Sequence, residues 1–203
     1  MTPTIDIGKT LTAAYNLYKD NITTLLLATL LGSIIGIFTL GILAGPMLAG
    51  LAMITLALID KAQPKPDIGD IFKGFNFFVP ALIYFIVYLV ALMVGNFILG
   101  LIPLLSLFLP TLYGMALSTF AMFTIFNVVD RKMDVVPAIQ ASVDIVKANF
   151  WIFLGLNIVA AVVGGLGALA CGVGAIVTAP MYLTTVAIAY RELYPAGGSA
   201  SQT

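Results

Sequence analysis

The sequence predicts an all-α integral membrane protein, a bundle of six transmembrane helices in three hairpins. Of the 203 residues, 61% are hydrophobic and only 9% are charged. An ordinary soluble domain is about half apolar and about 25% charged, so lipid must act as the solvent for this chain. The charged residues fall in four clusters, which leaves three uncharged runs at 21–59, 74–129 and 148–190. Each run is about twice the ~20 residues that a helix needs to cross a bilayer.

Glycine and proline mark the breaks between helices inside each run. They predict turns near residues 41–46, 95–103 and 164–174. The predicted spans are 22–40, 44–60, 77–99, 103–128, 150–168 and 173–191. Together they form a single membrane domain over residues 1–194, and residues 195–203 are predicted to be a disordered tail.

The positive charges predict the orientation. All nine Lys and Arg residues fall on one side of the hairpin arrangement. Because Lys and Arg accumulate in cytoplasmic loops, both termini and both long connections are predicted to be cytoplasmic. A different number of spans would scatter these charges over both faces, so the asymmetry also favours six.

A short amphipathic segment precedes each hairpin. Its apolar residues recur every three or four positions, which is the helix period. In the first segment they are Leu11, Tyr15, Tyr18 and Ile22, and in the third they are Val136, Ile139, Val143, Val146 and Phe150. We expect three short interfacial helices with their apolar faces in the membrane surface. The alternative is that each segment extends the following span into water.

The three amphipathic segments end in a similar pattern of Asx, two apolar residues, Lys and then Asn. Its members are Asn16, Lys19 and Asn21; Asp70, Lys73 and Asn76; and Asp144, Lys147 and Asn149. The second helix of each hairpin also carries a proline: Pro46, Pro110 and Pro180. These similarities predict three repeat units of about 5–60, 67–129 and 134–194, related by a pseudo-threefold axis along the membrane normal. The alternative is a likeness of composition that all membrane helices share.

The repeated pattern favours an anchor at the membrane surface. The Lys stem lies along lipid while its ammonium reaches anionic headgroups, and Arg191 is assigned the same role. The Asx residue pairs with the Lys one turn later, and the Asn satisfies backbone groups where the chain bends. The functional alternative is a ring of three Lys–Asx pairs around a lipid or anion.

The prolines favour different local structures. Pro46 follows a turn, so we expect it in the first turn of its helix, where proline is tolerated. Pro110 and Pro180 are predicted to lie deeper and to kink their helices. Kinked helices around a threefold axis could enclose a central cavity, although plain packing is the alternative.

The sequence holds no recognisable catalytic constellation, metal site or cofactor site. It has no histidine, which removes the commonest general base and metal ligand. The carboxylate pairs Asp67/Asp70 and Asp130/Asp134 lie among cations and favour solvated charge, and Cys171 is alone. Within the spans the strongest polar groups are three asparagines, which we expect to bond between helices: Asn96, Asn127 and Asn157.

Three strings of the sequence resemble a known superfamily. They run over residues 70–75, 141–151 and 189–193. They are similar to those of a broad superfamily of bacterial and archaeal multi-pass proteins, which includes the membrane domain beside some glycerophosphodiester phosphodiesterases. The resemblance implies a six-helix module in a prokaryotic inner membrane. It does not imply phosphodiesterase activity, because the soluble catalytic domain is missing.

The functional prediction is a non-enzymatic membrane protein. We expect it to bind lipid, through anionic headgroups at the cytoplasmic face, or a partner membrane protein, as an accessory subunit or a homo-oligomer. The alternative is a transporter or channel for a neutral or lipid-like substrate, which requires a central cavity. An intramembrane lipid enzyme, a third hypothesis, requires a cavity lined by carboxylates. The net charge of zero gives no indication of nucleic-acid binding.

Overall fold

The computed structural model describes residues 5–102, 108–165 and 173–196, and this part of the chain is mostly helical, with no strand. The all-α class is therefore confirmed. The helices are α1 (Ile7–Asp20), α2 (Ile22–Phe38), α3 (Ala44–Ile59), a 3₁₀ helix (Ile68–Phe77), α4 (Phe78–Gly100), α5 (Phe108–Ala121), α6 (Thr124–Asp130), α7 (Val135–Ala148), α8 (Phe150–Gly165) and α9 (Val173–Leu193). Most of the predicted tail, from residue 197 onward, lies outside the described residues.

Several helices are long and apolar enough to cross a bilayer. In the described part of the chain, Ile68–Gly100 and Phe108–Asp130 each qualify by themselves. Two bent pairs, α1 with α2 at 87° and α7 with α8 at 106°, raise the number to four if each pair is one span. Helix α3 is apolar but has only 16 residues. Membrane insertion is thus compatible with the fold, and the six spans stay a prediction.

The turn between α2 and α3 lies where glycine predicted it. Gly41 has φ +86°, in the left-handed region that glycine enters without steric cost. Helix α3 begins three residues later, and Pro46 is its third residue. Proline is tolerated in this first turn because the backbone N–H there has no partner within the helix.

Helices α3, α6 and α9 contribute much of the core. Small side chains of α3, Ala49 and Ala52, belong to the same buried cluster as Phe126 of α6 and Tyr190 of α9. Helix α4 is the opposite case, since only Ala81 and Tyr84 of its 23 residues are buried. An apolar helix that the protein itself leaves uncovered is suited to lipid.

The three amphipathic segments all pack against protein. Helix α1 lies on α9, the 3₁₀ helix lies on α3, and α7 lies on α5 and α6. The buried face of α1 carries the small residues Thr10 and Ala14. Three residues of the two apolar stripes named above are left outside: Tyr15 at 57% exposed, Ile22 at 43% and Val136 at 64%. Only part of each predicted apolar face is thus free to meet the membrane surface.

The 3₁₀ helix approaches α3 so closely that two glycines are required. A Cβ added at Gly50 would overlap the carbonyl oxygen of Ile71, and one added at Gly74 would overlap the carbonyl oxygen of Pro46. Backbone atoms cannot rotate out of the way as a side chain can. These two glycines therefore allow the contact between the second amphipathic segment and the first hairpin.

The helix predicted over 103–128 is interrupted between α5 and α6. Ser142 on α7 bridges the break: its hydroxyl donates to the Phe120 carbonyl (2.6 Å) and accepts from the Phe123 N–H (3.3 Å). The Tyr84 hydroxyl donates to the Ala121 carbonyl (3.3 Å). Side chains from neighbouring helices thus satisfy backbone groups that the break releases, as an apolar environment requires.

Candidate functional site

Two of the predicted corner asparagines lie at the two sharp bends. Asn21 joins α1 to α2 and Asn149 joins α7 to α8. The Asn21 backbone N–H donates to the Tyr18 carbonyl, and its side-chain amide donates to the Leu17 carbonyl at 2.9 Å. The Asn149 backbone N–H donates to the Val146 carbonyl (3.2 Å). Both residues close the last turn of the preceding helix, as expected of a corner.

The second copy of the pattern differs in structure. Lys73 and Asp70 form an ion pair (2.9 Å), and Asp70 also accepts the backbone N–H of Asp67 (3.2 Å), which caps the 3₁₀ helix. Asp70 precedes the span predicted over residues 77–99. The hydrogen bond from Lys73 lowers the pKa of the Asp70 carboxyl. Asn76 is exposed inside the 3₁₀ helix, so it marks no sharp bend.

The other two lysines of the pattern are exposed. Lys19 and Lys147 both lie in the last turn of their helices, α1 and α7. Among the described residues, no ion pair joins Lys147 to Asp144, although they are three positions apart. The predicted ring of three alike Lys–Asx pairs therefore has one closed pair, at Asp70 and Lys73.

The sequence placed Arg191 against lipid headgroups, but the structure gives it partners inside the protein. Its side chain is 11% exposed. The guanidinium binds Asp60 through Nε (2.9 Å) and Nη2 (2.7 Å), and it binds Asp130 through Nη1 and Nη2, both at 2.8 Å. The physical reason is that α3, α6 and α9 end at the same place, so two carboxylates are its nearest counter-charges. We call Asp60, Asp130 and Arg191 the ion-pair clasp.

An aromatic layer lies directly against the clasp. The Tyr190 hydroxyl donates to Asp130 (3.1 Å), and the Tyr190 ring stacks on Phe126 with centroids 5.4 Å apart. The Arg131 guanidinium lies 4.6 Å from the centre of the Tyr194 ring. Tyr190 therefore contacts the ion-pair clasp with its hydroxyl and the apolar core with its ring.

A central cavity of about 190 Å³ lies among α3, α4, α5, α6 and α9. Within the described ranges, no charged side chain lines it. Its lining residues are Leu48, Tyr84, Phe85, Tyr88, Ser118, Ala121, Met122, Ile125, Phe126, Tyr182, Leu183 and Val186. Aromatic rings and aliphatic chains make most of the wall, and hydroxyl groups supply its polarity.

Asn157 fixes the polar part of this wall. Its side-chain amide donates to Ser118 (2.8 Å) and to Thr119 (2.9 Å), and it accepts from the Tyr182 hydroxyl (2.9 Å). It thus joins α8 to α5 and α9, as predicted for an interhelical asparagine. Asn127 also bonds between helices, to the Ala138 carbonyl (3.2 Å), whereas Asn96 bonds only to Leu92 of its own helix.

A lateral pocket of about 100 Å³ adjoins the central cavity. It lies among α4, α5 and α7, and its surface is almost wholly apolar. Its lining residues are Tyr84, Val87, Tyr88, Ala91, Leu117, Phe120, Ala121, Thr124, Ile139 and Val143. Because α4 leaves many of its apolar side chains exposed, this pocket lies where a surrounding bilayer would touch the protein.

A wider groove of about 650 Å³ runs between α2 and α3. Gly32, Gly36 and Gly41 leave its floor smooth, and Phe85 of α4 closes one side. Because glycine has no side chain, a lipid chain or another helix can approach the backbone closely at these positions.

The other residues that the sequence singled out are possible metal ligands, two prolines and one cysteine. Within the described residues, no group of three His, Cys, Asp or Glu side chains is arranged to hold a metal ion. Pro180 lies inside α9 and is buried, as expected of a deep proline, while Pro110 is the third residue of α5 as far as that helix is described. Cys171 lies outside the described residues.

No protein-family model, curated protein or solved structure matches this chain. The resemblance to the superfamily of multi-pass proteins therefore stays a prediction.

Sequence reasoning missed the partners of Arg191 and the cavity tyrosines. The sequence did carry a signal for the partners of Arg191. Asp60, Asp130 and Arg191 each lie at the end of the second helix of a predicted hairpin, and the two aspartates are opposite in charge to the arginine. No comparable signal marked Tyr84 or Tyr88, because aromatic residues are common throughout these helices.

Proposed function

We propose that this chain is a six-span integral membrane protein that binds lipid without acting as an enzyme. The apolar helices that support six spans are α2, α3, α4, α5 with α6, α8 and α9. The clasp brings the ends of three of them together, and the hydrogen bond from Thr10 to Glu192 (3.0 Å) brings α1 to the same end. This arrangement supports cytoplasmic ends for both termini in a prokaryotic inner membrane.

The packing order of the helices supports three repeat units. Each amphipathic segment lies on the second helix of another unit: α1 of the first on α9 of the third, the 3₁₀ helix of the second on α3 of the first, and α7 of the third on α5 and α6 of the second. These three contacts close a ring. A pseudo-threefold arrangement produces such a ring because every unit then meets its neighbour in the same way.

The observation that carries lipid binding is the lateral pocket beside α4. Its wall is apolar, and it lies beside α4, which leaves many of its apolar side chains exposed. Burying a chain there gains packing contacts that fluid lipid does not provide. The exposed cations Lys19 and Lys147, with Lys73, would meet anionic headgroups at the cytoplasmic face.

The test is lipid retention after mild extraction, measured by native mass spectrometry. Ala91→Phe places a ring in the lateral pocket, and we expect about tenfold less bound lipid. Val90→Phe is the matched control, because Val90 is the preceding residue, is 53% exposed and does not line the pocket. Equal retention by the two variants would contradict the proposal.

The headgroup part of the proposal has a separate test. Replacing Lys19, Lys73 and Lys147 together by Gln should abolish retention of anionic lipid. Unchanged retention would remove the lysines from the proposal. The same spectra report a stoichiometric protein companion, which would favour an accessory subunit seated, for example, on the groove between α2 and α3.

A transporter or channel for a neutral or lipid-like substrate is the second candidate function. The uncharged central cavity favours it, because helices from all three hairpins line that cavity and the clasp joins three of these helices at one end. Flux of neutral solutes into liposomes that hold the purified protein tests it. An intramembrane enzyme has less support, since no carboxylate of the described part of the chain lines the cavity and Asp60 and Asp130 are bound to Arg191.

A further inference from the structure

The central cavity and the lateral pocket are two adjoining spaces of different chemistry. They share three lining residues, Tyr84, Tyr88 and Ala121. The rings of the two tyrosines lie 6.2 Å apart and are tilted by 36°. A molecule that filled both spaces would therefore pass this pair of rings.

The central cavity suits a neutral ring. Besides Tyr84 and Tyr88, the aromatic residues Phe85, Phe126 and Tyr182 line it, and none of its described lining residues is charged. Its volume of about 190 Å³ exceeds the roughly 150 Å³ of an engineered apolar cavity that binds benzene. Aromatic walls favour an aromatic or quinoid guest through stacked and edge contacts.

One hydroxyl on the wall is open to a ligand. The Tyr84 hydroxyl donates to the Ala121 carbonyl, and the Tyr182 hydroxyl donates to Asn157. Among the described residues, the Tyr88 hydroxyl has no hydrogen-bond partner. A ligand oxygen can take this place, which is more favourable than leaving a half-buried hydroxyl without one.

We infer that the two spaces together bind one neutral amphiphile, an alkylphenol or alkylquinone. Its ring occupies the central cavity with its oxygen bonded to Tyr88, and its hydrocarbon chain occupies the lateral pocket. This inference rests on the proposed lipid binding at the lateral pocket and names the class of lipid held there, which is distinct from the anionic lipids expected at Lys19, Lys73 and Lys147. A phospholipid headgroup does not fit the central cavity, because a phosphate would be buried there without a cation.

Calorimetric titration of the purified protein in detergent, with empty micelles as the blank, tests the inference. The probes are 4-decylphenol, 1-decanol and phenol, which carry ring and chain, chain alone and ring alone. We expect 4-decylphenol to bind at least about tenfold more tightly than either of the others. Leu183→Phe fills the central cavity and should bring 4-decylphenol down to the affinity of 1-decanol.

A hydroxyl deletion separates a specific bond from general packing. Tyr88→Phe keeps the ring and should weaken 4-decylphenol about fivefold, which corresponds to one hydrogen bond, and should leave 1-decanol unchanged. Tyr15→Phe removes an exposed tyrosine hydroxyl on α1 and should change neither affinity.

The outcomes separate this inference from the proposed function. If 1-decanol binds as tightly as 4-decylphenol, or if Tyr88→Phe has no effect, the ring inference is overturned while lipid binding stands. If Ala91→Phe retains as much lipid as Val90→Phe, the proposed function itself fails, and the ring inference that rests on it fails with it.

Discussion

Replacing Arg191 by Met removes the cation that two carboxylates share. Asp60 and Asp130 are then left close together with no counter-charge, and their side chains are only 25% and 24% exposed. Removing one partner of a buried ion pair costs about 3–5 kcal/mol. Because water reaches a quarter of each carboxylate, we take the lower end and expect a loss of about 3 kcal/mol in the free energy of unfolding.

The assay is reversible unfolding in mixed micelles of a neutral detergent and increasing dodecyl sulfate, followed by circular dichroism. Arg131→Met is the matched control. It removes an arginine one residue from the clasp, whose contact with the Tyr194 ring is worth about 0.5–1 kcal/mol at an exposed position. The two variants lose the same side chain, so their difference isolates the clasp.

A triple variant tests the electrostatic reason directly. With Asp60→Asn and Asp130→Asn added to Arg191→Met, no charge is left unpaired, and we expect more than half of the lost stability to return. A loss below about 1 kcal/mol for Arg191→Met, or no recovery in the triple variant, would refute the reasoning. The first result would mean that water already screens the clasp.

Three further predictions use the same unfolding assay. Gly50→Ala and Gly74→Ala should each cost about 2 kcal/mol or more because the new methyl group meets backbone, whereas Gly100→Ala, with open space around it, should cost nothing; equal costs would contradict the close contact. Asn157→Leu should cost about 1–2 kcal/mol by breaking three interhelical hydrogen bonds, and a neutral result would mean that water replaces them. Ser142→Ala should cost about 1–2 kcal/mol, while Thr12→Ala, whose hydroxyl bonds only to its own exposed helix, should cost less than 0.5 kcal/mol.

Much of the helical layout was available from local sequence. Helix α3 begins at the predicted residue, and α4 differs from its predicted span by one residue at each end. Hydropathy and the positions of glycine and proline are local properties, so they predict where an apolar helix starts and ends. The break between α5 and α6 escaped prediction because Ser142, which bridges it, lies about twenty residues further along the chain.

The candidate site was predictable only in part. The corner positions of Asn21 and Asn149 follow from their place between an amphipathic and an apolar helix. Asn157 was expected to bond between helices because an amide cannot stay unpaired in an apolar environment. Which helices it joins could not be foreseen, since sequence spacing does not show which faces meet.

The sequence by itself determined that this chain is helical and apolar, with its cations on one side of the predicted hairpins. These properties follow from the composition and from the spacing of apolar residues, which each helix shows without reference to the others. Only the tertiary structure decided that Arg191 binds Asp60, 131 positions away, and that five helices surround a partly open cavity whose lining includes Tyr84, Tyr88 and Tyr182. Such contacts depend on how whole helices cross, and crossing is set by the fit of many side chains together.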